Sequence, residues 1–378
     1  MREDVAQHEN WSTLPFDLYR PMIALMGRLN IPTDGVDDYC SFLAQALARR
    51  DFTLTRVHVA WNVEGWIGAL LRLWRDSVDW QGEWVLLQYT ALGWSRRGFT
   101  WGVLAAAAIL RRRGARCAVV FHEYTGFGGL RLRERLRHTF QMWVLRTLYR
   151  RSDRRIFTVP LDTIDWLSKD RHRAVFIPIG ANIPECPDSR SQLSSLEQEK
   201  RVIVFSFSSL PAVADEIADI AGVAHEASRA IRNLRFIILG RGSGEVREDL
   251  ANALEGCPVG LDVRGVLPAE EIAREFQRAD ALLFVRGPVV LQRGSAMAGI
   301  ASGLPIVGYG IGEPRGPIAE AGIEWSTWRD PKTLARALVR VLTDSQRWTE
   351  LHERNVRVHE RYFSWDRIAE LFIESLAR

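Results

Sequence analysis

Short strand-like runs alternate with helical segments along nearly the whole chain, and this alternation constrains the fold more than any other feature. Runs of apolar and β-branched residues, each followed by a segment of helical period, are typical of βαβ units and parallel sheets. The first half has six such runs: 21–29, 54–61, 83–90, 116–123, 154–160 and 174–180. The second half has five: 201–209, 234–244, 259–267, 281–287 and 305–310.

A loose tract separates the two blocks of runs. Residues 180–200, GANIPECPDSRSQLSSLEQEK, are rich in proline, serine and charge and keep no sustained period, which is typical of an interdomain linker. We predict an N-terminal domain at 1–185, a linker at 186–200, a C-terminal domain at 201–360, and a final helix at 361–378 that packs back on the N-terminal domain. The fold class is therefore α/β, with two Rossmann-like, doubly wound domains facing each other across a cleft.

Composition excludes several classes of protein. With 378 residues, 47% of them apolar, the chain is long enough for two ordinary cores. Its four cysteines lie far apart without a Cys-x-x-Cys or His/Cys cluster, so we expect neither a disulfide framework nor a metal site. The N-terminal residues are polar, and the longest apolar run, at 99–110, is too short to span a bilayer. We expect a cytoplasmic protein without a transmembrane segment.

Positive charge is concentrated in the first half. Residues 1–180 hold 26 Lys and Arg against 18 Asp and Glu, whereas the whole chain has a net charge of only +4. Within 110–155 there are 13 arginines and three acidic residues. Such a stripe attracts the phosphates of anionic lipid or nucleic acid, and it is also compatible with a solvated helix face. Because no nucleic-acid-binding module is recognisable, we expect no nucleic-acid partner.

The stretch FVRGPVVLQRGSAMAGIASGLPIVGYG, at 284–310, predicts a strand, a turn, a short helix of small residues and a second strand. A helix N-terminus offers unpaired N–H groups and the positive end of the peptide dipoles, so it favours an anion. Here Arg293 offers a forked cation, Gly294 lets a ligand approach the backbone, and Ser295 can cap the helix or donate to an oxygen. Arg286 is a further candidate. The alternative is an ordinary capped helix with a solvated arginine.

Three other loops of the second half follow parallel strands, and ligands of such sheets bind where the strands end. The run GRGSG offers Arg241, and RGVLPAEE offers the backbone of Gly265 and Val266 to a flat base. The run FSFSS offers hydroxyl donors at Ser208 and Ser209. Each loop alone is also compatible with a plain turn. A binding site is predicted only because all three loops are expected at the same edge of the sheet.

The first half has comparable positions. The run TDGVDDYC places Gly35 at a strand-to-helix turn, where a phosphate or sugar can approach the backbone. The run VVFHEYTGFGG ends a buried strand in His122 and Glu123 and continues into a glycine-rich loop, an arrangement found in catalytic sites and in purely structural ones. The next loop, QYTALGWSRRG, offers four side chains to a sugar or acceptor: Tyr89, Trp94, Arg96 and Arg97.

Successive blocks between residues 20 and 375 together resemble bacterial glycosyltransferases of the GT-B fold, and more narrowly glycosyltransferase family 4. The blocks are GVDDYCSFLAQAL, FHEYTG, IPIGANIP, LRFIILGRG, VRGVLPAEEIAREFQRADALLFV and GSAMAGIASGLPIVGYG. The resemblance implies transfer of a sugar from a nucleoside-diphosphate donor to a separate acceptor, with retention and without a metal or cofactor. It also implies site roles: His122 and Glu123 near the transferred sugar, Gly35 near the diphosphate, and Arg241, Gly265 and Val266 near the nucleotide.

The chain departs from that family at several positions. Many members carry two glutamates separated by seven residues, whereas Val290 and Ala298 stand there in this chain. It therefore resembles a variant branch in which Arg286, Arg293 and Ser295 bind the diphosphate. The expected acceptor is a polysaccharide precursor or glycolipid, lipid-linked at the inner membrane surface, where the basic stripe would hold the enzyme peripherally. A catalytically degenerate nucleotide-sugar-binding homologue is the alternative.

Overall fold

The computed structural model describes most of the chain. In the part of the chain that it describes, twelve strands and twelve α-helices mostly alternate, and the strands form two parallel six-stranded sheets. The chain divides into two compact units: one ends at Ile177 and includes residues from Ala369 on, and the other is Pro178–Ile368. The described residues are 21–28, 35–167, 171, 173–184, 193–195, 197–208 and 211–377.

The first unit is built on the sheet of order β2-β1-β3-β4-β5-β6. Right-handed crossovers place α1 on one face of this sheet and α2, α3 and α4 on the other, and α3 packs against both of its neighbours. The elements are β1 (Met22–Met26), α1 (Gly35–Ala48), β2 (Leu54–His58), α2 (Trp61–Asp76), β3 (Trp84–Tyr89), α3 (Trp101–Arg112), β4 (Arg116–Phe121), α4 (Leu132–Arg151), β5 (Arg154–Phe157) and β6 (Ala174–Phe176).

The second unit is built on the sheet of order β12-β11-β10-β7-β8-β9. Its order reverses between β10 and β7, which is where ligands bind in sheets of this kind. The elements are β7 (Lys200–Phe205), α5 (Ala212–Ala227), β8 (Leu234–Leu239), α6 (Arg247–Ala253), β9 (Gly260–Gly265), α7 (Ala269–Arg278), β10 (Ala281–Pro288), α8 (Gly294–Ala301), β11 (Ile306–Gly310), α9 (Pro317–Glu320), β12 (Ile323–Thr327), α10 (Pro331–Thr343) and α11 (Ser345–Val358).

Each sheet is buried on both faces, as near-continuous apolar strands require. All residues of β1 and β3 are buried in the first unit. In the second unit, the buried Trp348 of α11 donates its indole N–H to the carbonyl of Asp280 at 2.7 Å. Cys40 and Cys117 are buried thiols, whereas Cys186 lies outside the described residues.

The last helix, α12 (Trp365–Ala377), follows α11 after a π-helical turn and lies within the range 361–378 predicted for the final helix. Phe372 is completely buried. The Arg50 guanidinium pairs with Glu370 at 2.7 Å, and Arg154 donates to the Ser375 carbonyl at 2.8 Å. The end of α12 therefore packs on the first unit, which confirms the predicted return of the C-terminal helix.

Candidate functional site

Three loops meet at the carboxyl edge of the second sheet, after β7, β8 and β9. The backbone N–H of Phe207 donates to the carbonyl of Arg241 at 2.9 Å, and that of Gly240 donates to Gly265 at 2.8 Å. Gly240 has a φ of +83°, and a Cβ there would lie 2.5 Å from the Oγ of Ser206. These main-chain contacts depend on glycine, and they place the predicted Arg241 and Gly265 at one edge.

Three predicted arginines converge at this edge. Arg286 lies in β10, Arg293 directly precedes α8, and Arg241 follows β8. Burial lowers the pKa of the Arg286 guanidinium, the charges of Arg293 and Arg241 lower it further, and the charge of Glu216 opposes this effect. The Nε of Arg286 is buried and has no hydrogen-bond partner among the described residues. Because the cations repel each other, the cluster favours an anion that lies between them.

The first turn of α8 is open to a ligand. Gly294 is exposed, and a Cβ added there would meet no atom within 4 Å. No side chain caps the helix, and within the described part of the chain the N–H groups of Gly294 and Ser295 have no acceptor. The buried Ser295 hydroxyl has no partner there either. Of the two predicted roles of Ser295, capping is wrong, because Arg293 occupies the capping position.

A pocket of about 370 Å³ adjoins the arginines. Three predicted residues, Ser208, Arg286 and Arg293, line part of it. Acidic, cationic and aromatic side chains in one pocket suit a polar ligand that has hydroxyl groups and a ring face. Six further charged or aromatic lining residues were not selected from the sequence: Asp215, Glu216, Asp219, Tyr309, Trp328 and Arg329.

The acidic part of this pocket comes from the start of α5. Glu216 is buried, and its Oε2 accepts the backbone N–H of Ser208 at 3.0 Å. Burial raises the pKa of Asp219, and burial together with the Asp219 charge raises that of the Tyr309 hydroxyl. The acidic spacing of DEIAD at 215–219, on the helix after the first strand of the unit, was the available signal in the sequence.

The loop after β9 presents its backbone to solvent. Gly265 has a φ of +76°, and a Cβ there would meet no atom within 4 Å. Val266 is 67% exposed. Both residues are therefore accessible to a flat ligand, as their predicted role requires. The predicted Ser209 lies outside the described residues.

In the first unit, His122 directly follows β4. The Gln88 amide donates its Nε2–H to the Leu86 carbonyl at 3.2 Å, so the Gln88 Oε1 accepts from His122 Nε2 at 2.8 Å. This hydrogen bond puts the ring proton on Nε2 and makes Nδ1 the acceptor. Burial lowers the pKa of His122 to about 4, so the imidazole is neutral at neutral pH.

Glu123, the other predicted catalytic residue, is held by the neighbouring loop. Its Oε2 accepts the backbone N–H of Ala91 at 2.8 Å. Burial raises its pKa, and the hydrogen bond from Ala91 partly opposes this effect. The carboxyl group thus ties the end of β4 to the loop after β3, and it positions His122 through the chain.

Gly35 begins α1 at the same edge of the first sheet. Gly35 is exposed, and a Cβ there would meet no atom of the described residues within 4 Å. Tyr39, one turn later, contacts the ring of His122 edge-on, with ring centroids 5.0 Å apart. Through Tyr39, His122 therefore contacts the helix that Gly35 begins, although the two elements are distant in sequence.

Tyr89, the last residue of β3, and Trp94 of the following loop are not available to a sugar, which corrects the prediction. Tyr89 and Trp94 are completely buried. Trp94 donates its indole N–H to the Gln88 carbonyl at 2.8 Å and belongs to the core. Arg96 and Arg97 are exposed.

Within the described ranges, no group of three or more His, Cys, Asp or Glu side chains is arranged to hold a metal ion. Among those same residues, no helix has the length and apolar character needed to cross a membrane.

No protein-family model matches the sequence, and no curated protein is significantly similar to it. Several solved structures are similar in fold. The *Anabaena* protein HepE, in complex with UDP and glucose, has a TM-score of 0.64 at 11% identity, covering 95% of this chain and 100% of HepE. Trehalose-6-phosphate synthase OtsA has a TM-score of 0.64 at 13% identity, covering 95% and 99%.

A third structure is a *S. aureus* TarM variant in complex with UDP, with a TM-score of 0.57 at 12% identity. The match covers 82% of this chain but only 58% of TarM, so the chain spans little more than half of that relative. At these identities the likeness concerns architecture. It shows that the two parallel, Rossmann-like units of this chain have the GT-B fold.

Proposed function

We propose that the protein is a hexosyltransferase that transfers a sugar from a nucleoside-diphosphate sugar to a polysaccharide-precursor or glycolipid acceptor. The donor binds the second unit and the acceptor binds the first. The observation that carries this proposal is the convergence of Arg241, Arg286 and Arg293 on the uncapped start of α8. Three cations and free backbone N–H groups match the charge and the oxygens of a diphosphate.

The same groups can stabilise the negative charge that develops during the reaction. When the bond from the sugar C1 to the diphosphate breaks, negative charge grows on the leaving oxygen, and preorganised donors there lower the barrier. The guanidinium of Arg293 and the first N–H groups of α8 perform this role without a metal ion. The acceptor hydroxyl forms the new bond to C1 from the same face, and its proton passes to the leaving diphosphate, so configuration is retained.

Neutral His122 is suited to hold the transferred sugar. The hydrogen bond to Gln88 fixes the tautomer and the orientation of this ring at the carboxyl edge of the first sheet. A neutral ring also avoids placing a cation beside an electron-poor C1 in the transition state. Glu123, which accepts the Ala91 N–H, ties the residue after His122 to the loop after β3.

UDP is the first nucleotide to test. The HepE and TarM structures of similar fold are described as complexes with UDP. The accessible backbone at Gly265 and Val266 suits a base that is read by main-chain groups. This supports a uridine donor without selecting its sugar.

Binding without transfer is the second candidate. It is favoured by Val290 and Ala298, which place apolar side chains where many members of family 4 carry glutamates. Ala298 is moreover 1% exposed, because this part of α8 packs on the sheet. A protein of this kind would bind the nucleotide sugar and release no sugar from it.

The test combines binding with turnover. A thermal-shift panel of UDP, GDP, CDP and ADP should show a rise in melting temperature with one of them, because a ligand of the folded state stabilises it. Arg293→Ala should weaken that nucleotide about tenfold or more, as loss of a charged hydrogen bond predicts. The exposed Arg336→Ala, in the same unit, is the matched control.

Release of nucleoside diphosphate from the corresponding sugar nucleotides then separates the two candidates. Turnover that Arg293→Ala abolishes supports the transferase. Binding without any turnover, with a panel of lipid-linked and soluble acceptors, supports the degenerate homologue. No thermal shift with any nucleotide contradicts both.

A further inference from the structure

One helix of the first unit carries an exposed apolar stripe. After the kink at Gly65, where the backbone of α2 is not helical, Ile67 is 79% exposed, Leu71 52% and Trp74 39%. These three positions are each about one turn apart, so they form a line along one side of the helix. Large exposed apolar patches on globular proteins mark interaction surfaces rather than chance exposure.

A second stripe lies on α4. Leu132 is 73% exposed, Leu136 59% and Trp143 54%, again at spacings that share one side of a helix. Because α3 packs against both α2 and α4, the two stripes belong to one surface. We call this surface the α2–α4 face, defined by the outward side chains of 61–76, 101–112 and 132–151.

The α2–α4 face is strongly basic as well as apolar. The last turns of α3 and α4 end in Arg111, Arg112, Arg150 and Arg151. Between these helices runs a groove of about 880 Å³ whose lining includes seven arginines and one carboxylate. That carboxylate, Asp153, accepts the backbone N–H of residue 117 at 2.8 Å, so part of its hydrogen-bonding capacity is already used within the protein.

Apolar and basic groups are also placed side by side. The guanidinium of Arg113 lies over the Trp74 ring, 3.8 Å from its centroid. On α2, the carboxylate of Glu64 is paired with Arg72. The surface thus has the composition of a helix that lies in a lipid headgroup region, with apolar residues for the acyl boundary and arginines for phosphates.

A tryptophan cluster lies where this face reaches the carboxyl edge of the first sheet. Trp61 and Trp66 stack with ring centroids 5.2 Å apart, and Trp101 is 5.0 Å from Trp66. Trp101 is 49% exposed at the start of α3. Tryptophan is favoured at the boundary between water and acyl chains. The cluster therefore connects the α2–α4 face to the edge that holds His122.

We propose that the α2–α4 face docks on a bilayer that contains anionic lipid. Charge complementarity decides the occupant: the arginine groove requires anionic groups, and the two stripes require an apolar phase beside them. A second copy of this chain would bring the same arginines against each other, which disfavours self-association through this face. The inference goes beyond sugar transfer and does not depend on the donor chemistry.

The test measures sedimentation of the full chain with vesicles of phosphatidylcholine alone or mixed with phosphatidylglycerol. Binding should require phosphatidylglycerol and should fall as salt is raised. Ile67→Ser combined with Leu71→Ser should weaken it about tenfold or more, since the apolar contact is lost. Arg111→Gln with Arg112→Gln and Arg150→Gln should weaken it by about 100-fold.

Matched controls lie in the second unit. Ile311→Ser removes an apolar side chain that is 61% exposed, and Arg232→Gln with Arg274→Gln and Arg336→Gln removes the same charge from exposed positions. Both controls should bind vesicles as the unaltered protein does. Thermal unfolding should be unchanged in every variant, because all of these side chains are on the surface.

Three results would overturn the proposal. The first is equal binding to both vesicle compositions. The second is vesicle binding that neither set of variants in the α2–α4 face reduces. The third is a dimer that the Ile67 and Leu71 changes convert to monomer, which would assign the stripe to a second copy. The UDP thermal shift, measured on the same variants, reports the donor site separately, so failure of either proposal leaves the other standing.

Discussion

At the scale of single residues, two glycines of α8 differ in how much space surrounds them. A Cβ at Gly294 would meet nothing, whereas a Cβ at Gly299 would lie 2.8 Å from Leu282 Cδ2. We expect Gly294→Ala to change the free energy of unfolding by less than about 1 kcal/mol, and Gly299→Ala to lower it by about 1–3 kcal/mol. Urea denaturation measures both.

Nucleotide affinity should show the opposite order. In Gly294→Ala the new methyl group takes space next to the open N–H groups of the first turn, so UDP binding should weaken about tenfold or more. Gly299→Ala, once folded, should bind normally. If Gly294→Ala binds every nucleotide as tightly as the unaltered protein, the ligand does not lie at the start of α8.

The neutral state of His122 makes stability depend on pH. Its pKa of about 4 in the folded protein lies below the value of roughly 6.5 for an unfolded histidine, so the unfolded chain binds more protons between these values. This part of the stability is complete above about pH 6.5 and is lost as the pH falls toward 4.

His122→Asn, which keeps a hydrogen-bonding side chain, should therefore lose less stability than the unaltered protein between about pH 6.5 and 4.5. Denaturation curves at both values measure the difference. The ring proton resonances of His122 should titrate near 4. A titration midpoint near the value of an unfolded histidine, roughly 6.5, would show that the ring is solvated.

The sequence predicted the site residues that follow general rules and missed those that depend on tertiary packing. Arg293 and Gly294 were found because a glycine turn before a helix has a known relation to anions. Asp219 and Trp328 were missed, because helix α5 and the loop after β12 come together only in the folded sheet. Trp94 was misassigned to the surface because a loop position does not reveal burial.

At the scale of elements, all eleven runs predicted as strands form strands, and the sixth strand of the second sheet was missed. The central strands among them, such as β1, β3 and β8, are apolar runs, which burial on both faces demands. The missed strand, β12, is an edge strand of five residues that includes Glu324. An edge position relaxes the requirement for apolar residues, so the signal is weak.

One side chain fastens α11 to this edge. The completely buried Asn355 accepts the N–H of Gly322 at 2.7 Å and donates to the Leu304 carbonyl at 2.8 Å. Asn355→Ala leaves both main-chain groups unpaired, and we expect the free energy of unfolding to fall by about 2–3 kcal/mol. Arg357→Ala, at an exposed position of the same helix, should stay within about 0.5 kcal/mol.

Guanidinium denaturation of the second unit measures this effect. An Asn355→Ala protein as stable as the Arg357→Ala control would mean that water replaces the amide. Asn355→Asp should be less stable than the parent as well, because it places a carboxylate next to the Leu304 carbonyl oxygen.

At the scale of the whole molecule, the two proposals assign different ligands to different units. Hydrogen exchange should therefore give two separate maps. UDP should slow exchange at 206–208, 240–242 and 286–297, where the loops of the second sheet and the start of α8 lie. Vesicles with anionic lipid should instead slow exchange at 61–76 and 132–151. Protection by UDP confined to the first unit would contradict the assignment of the donor.

The architecture was predictable because two blocks of alternating strands and helices allow few topologies. The linker was harder to place. The units divide after Ile177, whereas the composition of 180–200 suggested a later boundary. The composition shows where the helical and strand patterns of the sequence stop. The boundary between the units depends instead on which hydrophobic core the residues near it pack against.

Ligand binding at the open start of α8 would contribute to the stability of the fold. A helix that lacks a capping side chain gives up about 1 kcal/mol relative to one with serine or aspartate at that position. On the proposed function, a bound phosphate would restore this deficit, and the nucleotide-bound protein would be the more stable form. Removal of nucleotide by dialysis during purification would then shorten the time for which the protein stays folded in storage. In a cell, the half-life of the protein would depend on the concentration of the nucleotide sugar.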